Sequence, residues 1–231
     1  MRRGVVVTGG SRGIGLATAR LFHGLGYEVV SLSRSPPPTP EIEHLAADIT
    51  DLASVERAAE ILAERTSGWD QTVLTHNAAV HRHDTIRSLS SRDLLAVLSA
   101  NLAAPQALNQ RLIPVMKPGS SILYVGSTLA EKAVPGAASY AASKHGMIGL
   151  MRATCQDLAG SGIHTACICP GFTDTEMLRA HLGDAVEAIT GMVAAGRLLK
   201  PEEIADLARV CADSPALNGA VLHANLGQIE R

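Results

Sequence analysis

One stretch near the N-terminus narrows the choice of fold more than any other. Gly4-Val5-Val6-Val7-Thr8 reads as a short buried strand, Gly9-Gly10-Ser11-Arg12-Gly13-Ile14-Gly15 as a turn, and the spacing of Leu16, Ala19, Leu21 and Phe22 as a helix. Glycines in such a turn let backbone N–H groups and the helix N-terminus come close to a pyrophosphate, which a Cβ would obstruct. The order strand, glycine turn, helix therefore predicts a dinucleotide-binding crossover, with a purely structural turn as the alternative. The expected contacts are Gly9, Ser11, Arg12, Gly13, Ile14 and Gly15.

Composition agrees with a sheet buried on both faces. The chain is 46% hydrophobic and 18% charged with 21 glycines, which fits one α/β domain over residues 1–231 built on a parallel sheet. A net charge of −2 and 3% aromatic residues leave neither a basic stripe nor a stacking platform, so nucleic acid is not an expected partner. The apolar run behind Met1-Arg2-Arg3 is too short for a signal segment, and no run reaches the roughly 18 residues of a membrane span. A cytoplasmic protein with no membrane partner is expected. The 4 cysteines, at 155, 167, 169 and 211, show no Cys-x-x-Cys pair and read as buried, reduced thiols, with Cys167 and Cys169 on one face of a strand.

The second strand, Tyr27–Leu32, ends at Ser33-Arg34 without the acidic residue that would accept from an NAD ribose. Arg34 and Arg12 instead present two guanidiniums suited to a 2′-phosphate, so NADP(H) is the expected cofactor; two solvated surface arginines are the bland alternative. Ser35-Pro36-Pro37-Pro38-Thr39-Pro40 cannot form a helix or a central strand, so the crossover helix before the third strand, at Ile42–Ile49, should be missing or reduced. Asp48 and Ile49 at that strand's end are expected to meet the adenine. Thr50 or Asp51 should cap a helix over Leu52–Glu64. A fourth strand, Gln71–Thr75, leads into His76-Asn77-Ala78-Ala79, where small residues let the cofactor lie close to Asn77 and Ala78. His81-Arg82-His83-Asp84 lacks further ligands at metal-binding spacing; it reads as a polar loop at the pocket mouth, and no metal is expected.

From Ser91 a helical pattern runs through Leu94, Leu95, Leu98, Leu102, Leu108, Leu112 and Met116, interrupted by Pro105. Proline lacks the N–H that would bond the carbonyl of Asn101, so that oxygen should be free for water or a catalytic group. The fifth strand, Ser121–Val125, ends at Gly126-Ser127-Thr128, which places Ser127 where parallel sheets face their ligands. In Ser139-Tyr140-Ala141-Ala142-Ser143-Lys144, helical spacing puts Tyr140 and Lys144 on one face. A phenol working near neutrality needs its pKa lowered by roughly 3 units, or about 4 kcal/mol. An ammonium about 4 Å away at an effective dielectric of about 20 supplies on the order of 4 kcal/mol. A sixth strand, Ile163–Cys169, precedes Pro170-Gly171. Residues 172–200, with Gly183, Gly191 and Gly196, read as a substrate lid, followed by a helix from Pro201 and a final strand, Gly219–Ala224.

With Thr8–Gly15, Asn77, Asn101, Ser127, Tyr140, Lys144 and Pro170-Gly171 in this order, the chain resembles the short-chain dehydrogenase/reductase family over nearly its whole length. The resemblance implies a Rossmann-type doubly wound parallel sheet of about seven strands with helices on both faces. It implies hydride transfer between NADP(H) and a small-molecule carbonyl or alcohol. Tyr140 would be the general acid/base. Lys144 would lower its pKa and, with Tyr140, contact the nicotinamide side of the cofactor. Ser127 would polarise the substrate oxygen, and Asn101 would support a water relay. Pro170, Gly171, Thr173 and Thr175 would add cofactor contacts, and helices carrying Asn101 and Tyr140 would build a homotetramer or homodimer.

Ala194-Ala195-Gly196-Arg197-Leu198 and Gly219-Ala220-Val221-Leu222-His223 are most similar to the 3-oxoacyl-carrier-protein reductases, which implies a 3-oxoacyl or polyketide-like ketone. Val134, Pro135, Phe172, Met177 and Leu178 give the expected pocket apolar character. The chain departs from the pattern at His76, at Thr173, and at Asn225-Leu226-Gly227. Ser161 stands where those reductases often carry an arginine for the acidic carrier, so a free substrate is expected over a carrier-tethered one. The competing reading is a non-catalytic NADP(H)-binding sensor or scaffold, which has no evident need for the complete Asn-Ser-Tyr-Lys set.

Overall fold

The computed structural model describes residues 1–182 and 186–228. Strands β1 (Arg3–Thr8), β2 (Glu28–Ser33), β3 (Glu43–Ala46), β4 (Gln71–His76), β5 (Ser121–Val125), β6 (His164–Pro170) and β7 (Ala220–Ala224) form one 7-stranded sheet in the order β3-β2-β1-β4-β5-β6-β7. Every pairing is parallel. The helices are α1 (Gly13–Gly24), α2 (Leu52–Thr66), α3 (Ser91–Leu98), α4 (Ala104–Leu112), α5 (Ala138–Asp157), α6 (Glu176–Leu182), α7 (Val186–Thr190) and α8 (Pro201–Asp213).

Strand alternation divides the core in two. Val5, Val7, Val29, Val73, Leu123 and Ile168 point to one face, where Phe22 of α1 and Ile204, Ala208 and Cys211 of α8 cover them. Val6, Val30, Leu74, Ile122 and Tyr124 point to the other, beneath Leu62 of α2, Leu108 of α4 and Met147 and Met151 of α5. Burial on both sides explains why the strands read as unbroken apolar runs. The order reverses beside β1, so the loops after β1 and β4 open a crevice at the sheet's carboxyl edge.

As the proline run requires, no helix lies between β2 and β3, and β3 shrinks to Glu43–Ala46. The expected helix from Ser91 to Met116 is not continuous. A wider π-helical turn over Ser99–Ala103 separates α3 from α4, just before Pro105, which offers no N–H to the Asn101 carbonyl. Neither Thr50 nor Asp51 caps α2 through its side chain. Asp48 Oδ1 instead accepts from the Thr50 N–H at 2.9 Å and its hydroxyl at 2.8 Å, turning the chain ahead of the helix. Cys167, Cys169 and Cys211 are buried free thiols, but Cys155 is only half-buried and donates to Asn218 Oδ1 at 3.3 Å. Cys167 and Cys169 do share a face, their sulfurs 3.8 Å apart.

The segment read as a lid carries α6 and α7, tied at its base by pairing of Thr173 with Leu199 and Val193 with Gln228. Residues 183–185, Gly183 among them, lie outside the described residues. Among the described residues, no helix is long and apolar enough to cross a membrane.

Candidate active site

The glycine turn is sewn to the end of β4. Thr8 Oγ1 accepts from the backbone N–H groups of Asn77 at 2.9 Å and Ala78 at 3.0 Å, and Asn77 Nδ2 donates to the Thr8 carbonyl at 2.9 Å. A Cβ on Gly15 would sit 2.2 Å from the Gly9 carbonyl and 2.5 Å from Asn77 Nδ2, so only glycine permits this approach. Gly13, with φ +53, opens α1 in a backbone region that L side chains rarely adopt, against Thr175 Cγ2. No side chain caps α1 at Arg12 and no acidic residue lies in its first turn. A helix N-terminus lined by small residues and free of side-chain caps and acidic first-turn groups fits a pyrophosphate.

Arg12 and Arg34 are both exposed on this side. Arg12 is paired with Glu176 of α6, Nη1 to Oε2 at 2.9 Å. Hydrogen bonds from Thr50, joined by the charge of Arg34, hold the half-buried Asp48 carboxyl below its usual range. Ile49 is half-buried beside it. At the far side of the crevice the Gly171 N–H donates to Ala224 O at 2.8 Å. Thr175 lies against Gly13, its Cγ2 3.2 Å from where a Cβ on that glycine would sit. Pro170 and Thr173 are buried, and the Thr173 hydroxyl is turned to the Gly171 carbonyl at 3.2 Å, which withdraws it from the opening.

Ser127, Tyr140, Lys144 and Asn101 converge where β5 gives way to α5. Ser127 Oγ accepts from Leu129 N–H at 3.1 Å and is hydrogen-bonded to the Tyr140 phenol. Lys144 is 1% exposed; its Nζ donates to the Val125 carbonyl at 2.7 Å, lies 3.8 Å from Met147 Sδ, and stands 5.5 Å from the centre of the Tyr140 ring. The expected lowering of the phenol is not found. Burial pushes Tyr140 up to about 12, opposed by the Ser127 hydrogen bond, and burial brings Lys144 down to about 8. The ammonium is directed at a backbone carbonyl and not at the phenol, so its charge does not offset desolvation there. The Asn101 side chain closes a two-way bridge on Val80, accepting from its N–H at 2.8 Å and donating to its carbonyl at 3.0 Å, and donates to Ser143 Oγ at 2.9 Å.

That bridge starts a loop which sequence reading located only as a pocket mouth. His81, next to Val80, packs its ring 4.7 Å from the Tyr140 ring at a 58° tilt. Asp84, at the loop's other end, accepts from the Ser139 N–H at 2.9 Å and closely from the Ser139 hydroxyl, and so fixes the first turn of α5 one residue before Tyr140. Arg82 turns outward to Asp93. Nothing local marks His81, Asp84 or Ser139 as partners, because each contact joins segments distant in the chain.

His76 begins a buried polar chain. Its Nε2 meets Asn109 Oδ1 at 2.8 Å, Asn109 Nδ2 donates to the Tyr124 hydroxyl at 2.8 Å, and that oxygen lies 3.0 Å from Thr154 Oγ1, which donates to Leu150 O at 2.8 Å. With the proton on Nε2, every link donates onward and only His76 Nδ1 lacks a partner. Burial therefore lowers His76 to about 4. The unfolded chain takes up this proton near pH 6.5 and the folded one near 4, so stability falls as pH drops through that window and levels off below it. The expected loss approaches about 3 kcal/mol. Urea midpoints measured from pH 7 downward should show a steeper acid slope for the wild type than for His76→Asn; equal slopes would remove His76 as the cause.

A family model described as Enoyl-(Acyl carrier protein) reductase matches residues 9–228. The chain is 30% identical over 234 residues to the Escherichia coli (strain K12) 3-oxoacyl-[acyl-carrier-protein] reductase FabG, covering 96% of this chain and 95% of that protein. Against the Mycobacterium bovis 3-oxoacyl-[acyl-carrier-protein] reductase MabA it is 29% identical, covering 95% of this chain and 90% of that protein. The structure superposes on a short-chain dehydrogenase from Burkholderia cenocepacia in complex with NADP with a TM-score of 0.87, at 28% identity and 97% coverage of both chains. The all-parallel sheet order agrees with these matches: the chain belongs to the short-chain dehydrogenase/reductase family of NAD(P)-dependent oxidoreductases.

Proposed function

We propose that the protein reduces a small-molecule ketone, of 3-oxoacyl or polyketide-like type, to a secondary alcohol with NADPH. The observation that carries the reading is the Tyr140 phenol hydrogen-bonded to Ser127 with Lys144 at its back. A bound reduced nicotinamide supplies the hydride. Ser127 orients the carbonyl oxygen, and Tyr140 protonates it as it becomes an alkoxide. An alkoxide is a far stronger base than a phenolate, so a phenol near 12 still delivers its proton downhill. Lys144 is held on Val125 O, 5.5 Å from the centre of the Tyr140 ring. Asn101 keeps the Val80 loop and Ser143 in place around the reacting groups.

Arg12 and Arg34 support NADPH over NADH. The outer faces of α3, α4 and α5 leave an apolar groove of about 680 Å³ between Leu98, Leu102 and Leu150, which suits a second copy of the chain in a homodimer or homotetramer. Residues 172–200 are read as the substrate lid, and a free ketone is favoured over a carrier-tethered one by Ser161. The test is NADPH consumption across a panel of 3-oxo esters, cyclic ketones and sugars, with each active substrate repeated with NADH. Turnover of at least one ketone, with higher kcat/KM for NADPH, is expected. Binding of NADPH without turnover of any carbonyl would favour the sensor reading, and equal or better efficiency with NADH would remove the cofactor assignment.

A further inference from the structure

Each arginine assigned to the 2′-phosphate already faces a carboxylate. Arg34 acts on Asp48, and Arg12 is bonded to Glu176 at 2.9 Å. The two pairs differ in what holds the acid. Asp48 is fixed by two hydrogen bonds from Thr50. For Glu176 the bond to Arg12 is the sole side-chain pairing recorded among the described residues, and both partners stay more than half exposed, at 58% and 70%. An exposed pair of this kind is weak and exchanges readily with another anion. Glu176 opens α6, and its neighbour Thr175 lies against Gly13, so this carboxylate reaches the glycine turn from the segment after β6.

We infer that Glu176 competes with the cofactor's 2′-phosphate for Arg12, and so sets how strongly the protein discriminates NADPH from NADH. The inference rests on the NADP(H) reading above. A phosphate carrying close to two negative charges displaces a single carboxylate from the guanidinium, whereas NADH leaves the Arg12–Glu176 pair intact. Glu176 therefore acts against the tighter cofactor and is neutral toward the weaker one. Its presence lowers NADPH affinity, and its removal sharpens selectivity.

The experiment is calorimetric titration of the full chain with NADPH and with NADH, no carbonyl present, for wild type, Glu176→Gln, Arg12→Gln and the double variant. Glu176→Gln should tighten NADPH binding by roughly three- to tenfold, less at high salt, and leave NADH within about twofold. In the Arg12→Gln background the same change should have no effect on either nucleotide. Thermal unfolding of each variant confirms a folded protein. Equal tightening of both nucleotides would mean a general charge or lid effect and overturns the inference, as does unchanged NADPH affinity or an undiminished gain without Arg12. Wild type that binds NADPH but fails one of these comparisons overturns the inference alone. Wild type that binds neither nucleotide overturns it together with the proposed function.

Discussion

Tyr140→Phe is expected to bind NADPH with wild-type affinity while losing turnover by at least about a hundredfold. The substitution removes one oxygen from a ring that keeps its packing, since the Tyr140 and His81 rings lie 4.7 Å apart. What disappears is the proton donor and its hydrogen bond to Ser127. Without it, the developing alkoxide must find a proton in water, and Lys144 lies on the Val125 carbonyl and cannot substitute. Fluorescence titration of NADPH and single-turnover NADPH consumption separate the two effects. Turnover within about tenfold of wild type would mean that the phenol is not the acid.

Gly15→Ala is expected to damage fold and site together. The added methyl would meet the Gly9 carbonyl at 2.2 Å and Asn77 Nδ2 at 2.5 Å, so the turn or the end of β4 must move. Neither can yield cheaply. Asn77 is held to Thr8 by its own side chain and by its backbone N–H, and Gly9 N–H is bonded to the Leu32 carbonyl at 2.8 Å. Overpacking of this kind costs about 1–3 kcal/mol or more. In a chain of this length that lowers the thermal midpoint by roughly 3–10 °C. Because the displaced atoms line the turn proposed to hold the pyrophosphate, NADPH affinity should fall by at least about tenfold in the protein that remains folded. Unchanged midpoint and affinity would mean that the close approach of the turn to β4 is not as described.

These two residues show what is local and what is not. Gly15 is legible because its neighbours along the chain, a valine strand before and a helix after, define a turn whose physics is known. The parallel sheet follows from apolar runs separated by helical repeats, and the missing helix before β3 from the prolines that forbid it. Helix boundaries and caps were less legible, as with the π-turn at Ser99–Ala103 and the Asp48 turn before α2, since several local hydrogen-bonding solutions compete within a few tenths of a kcal/mol.

The Tyr140–Lys144 pair lies between these cases. Helical spacing predicted a shared face, and both side chains do lie at the end of β5. Spacing carries no information about which acceptor a lysine chooses or how much water is excluded. Desolvation raises the phenol instead of lowering it, and the Val125 carbonyl takes the ammonium that spacing alone would aim at it.

The glycine turn, the sheet that presents it and the candidate reactive side chains can be read from the chain alone, because turn geometry, strand alternation and chemical type are properties of short stretches. Only the tertiary structure decided that His81 lies on Tyr140, that Asp84 anchors the helix carrying it, and that Glu176 occupies Arg12. Those contacts join distant segments, and burial and charge pairing depend on distance in space, which separation along the chain does not encode.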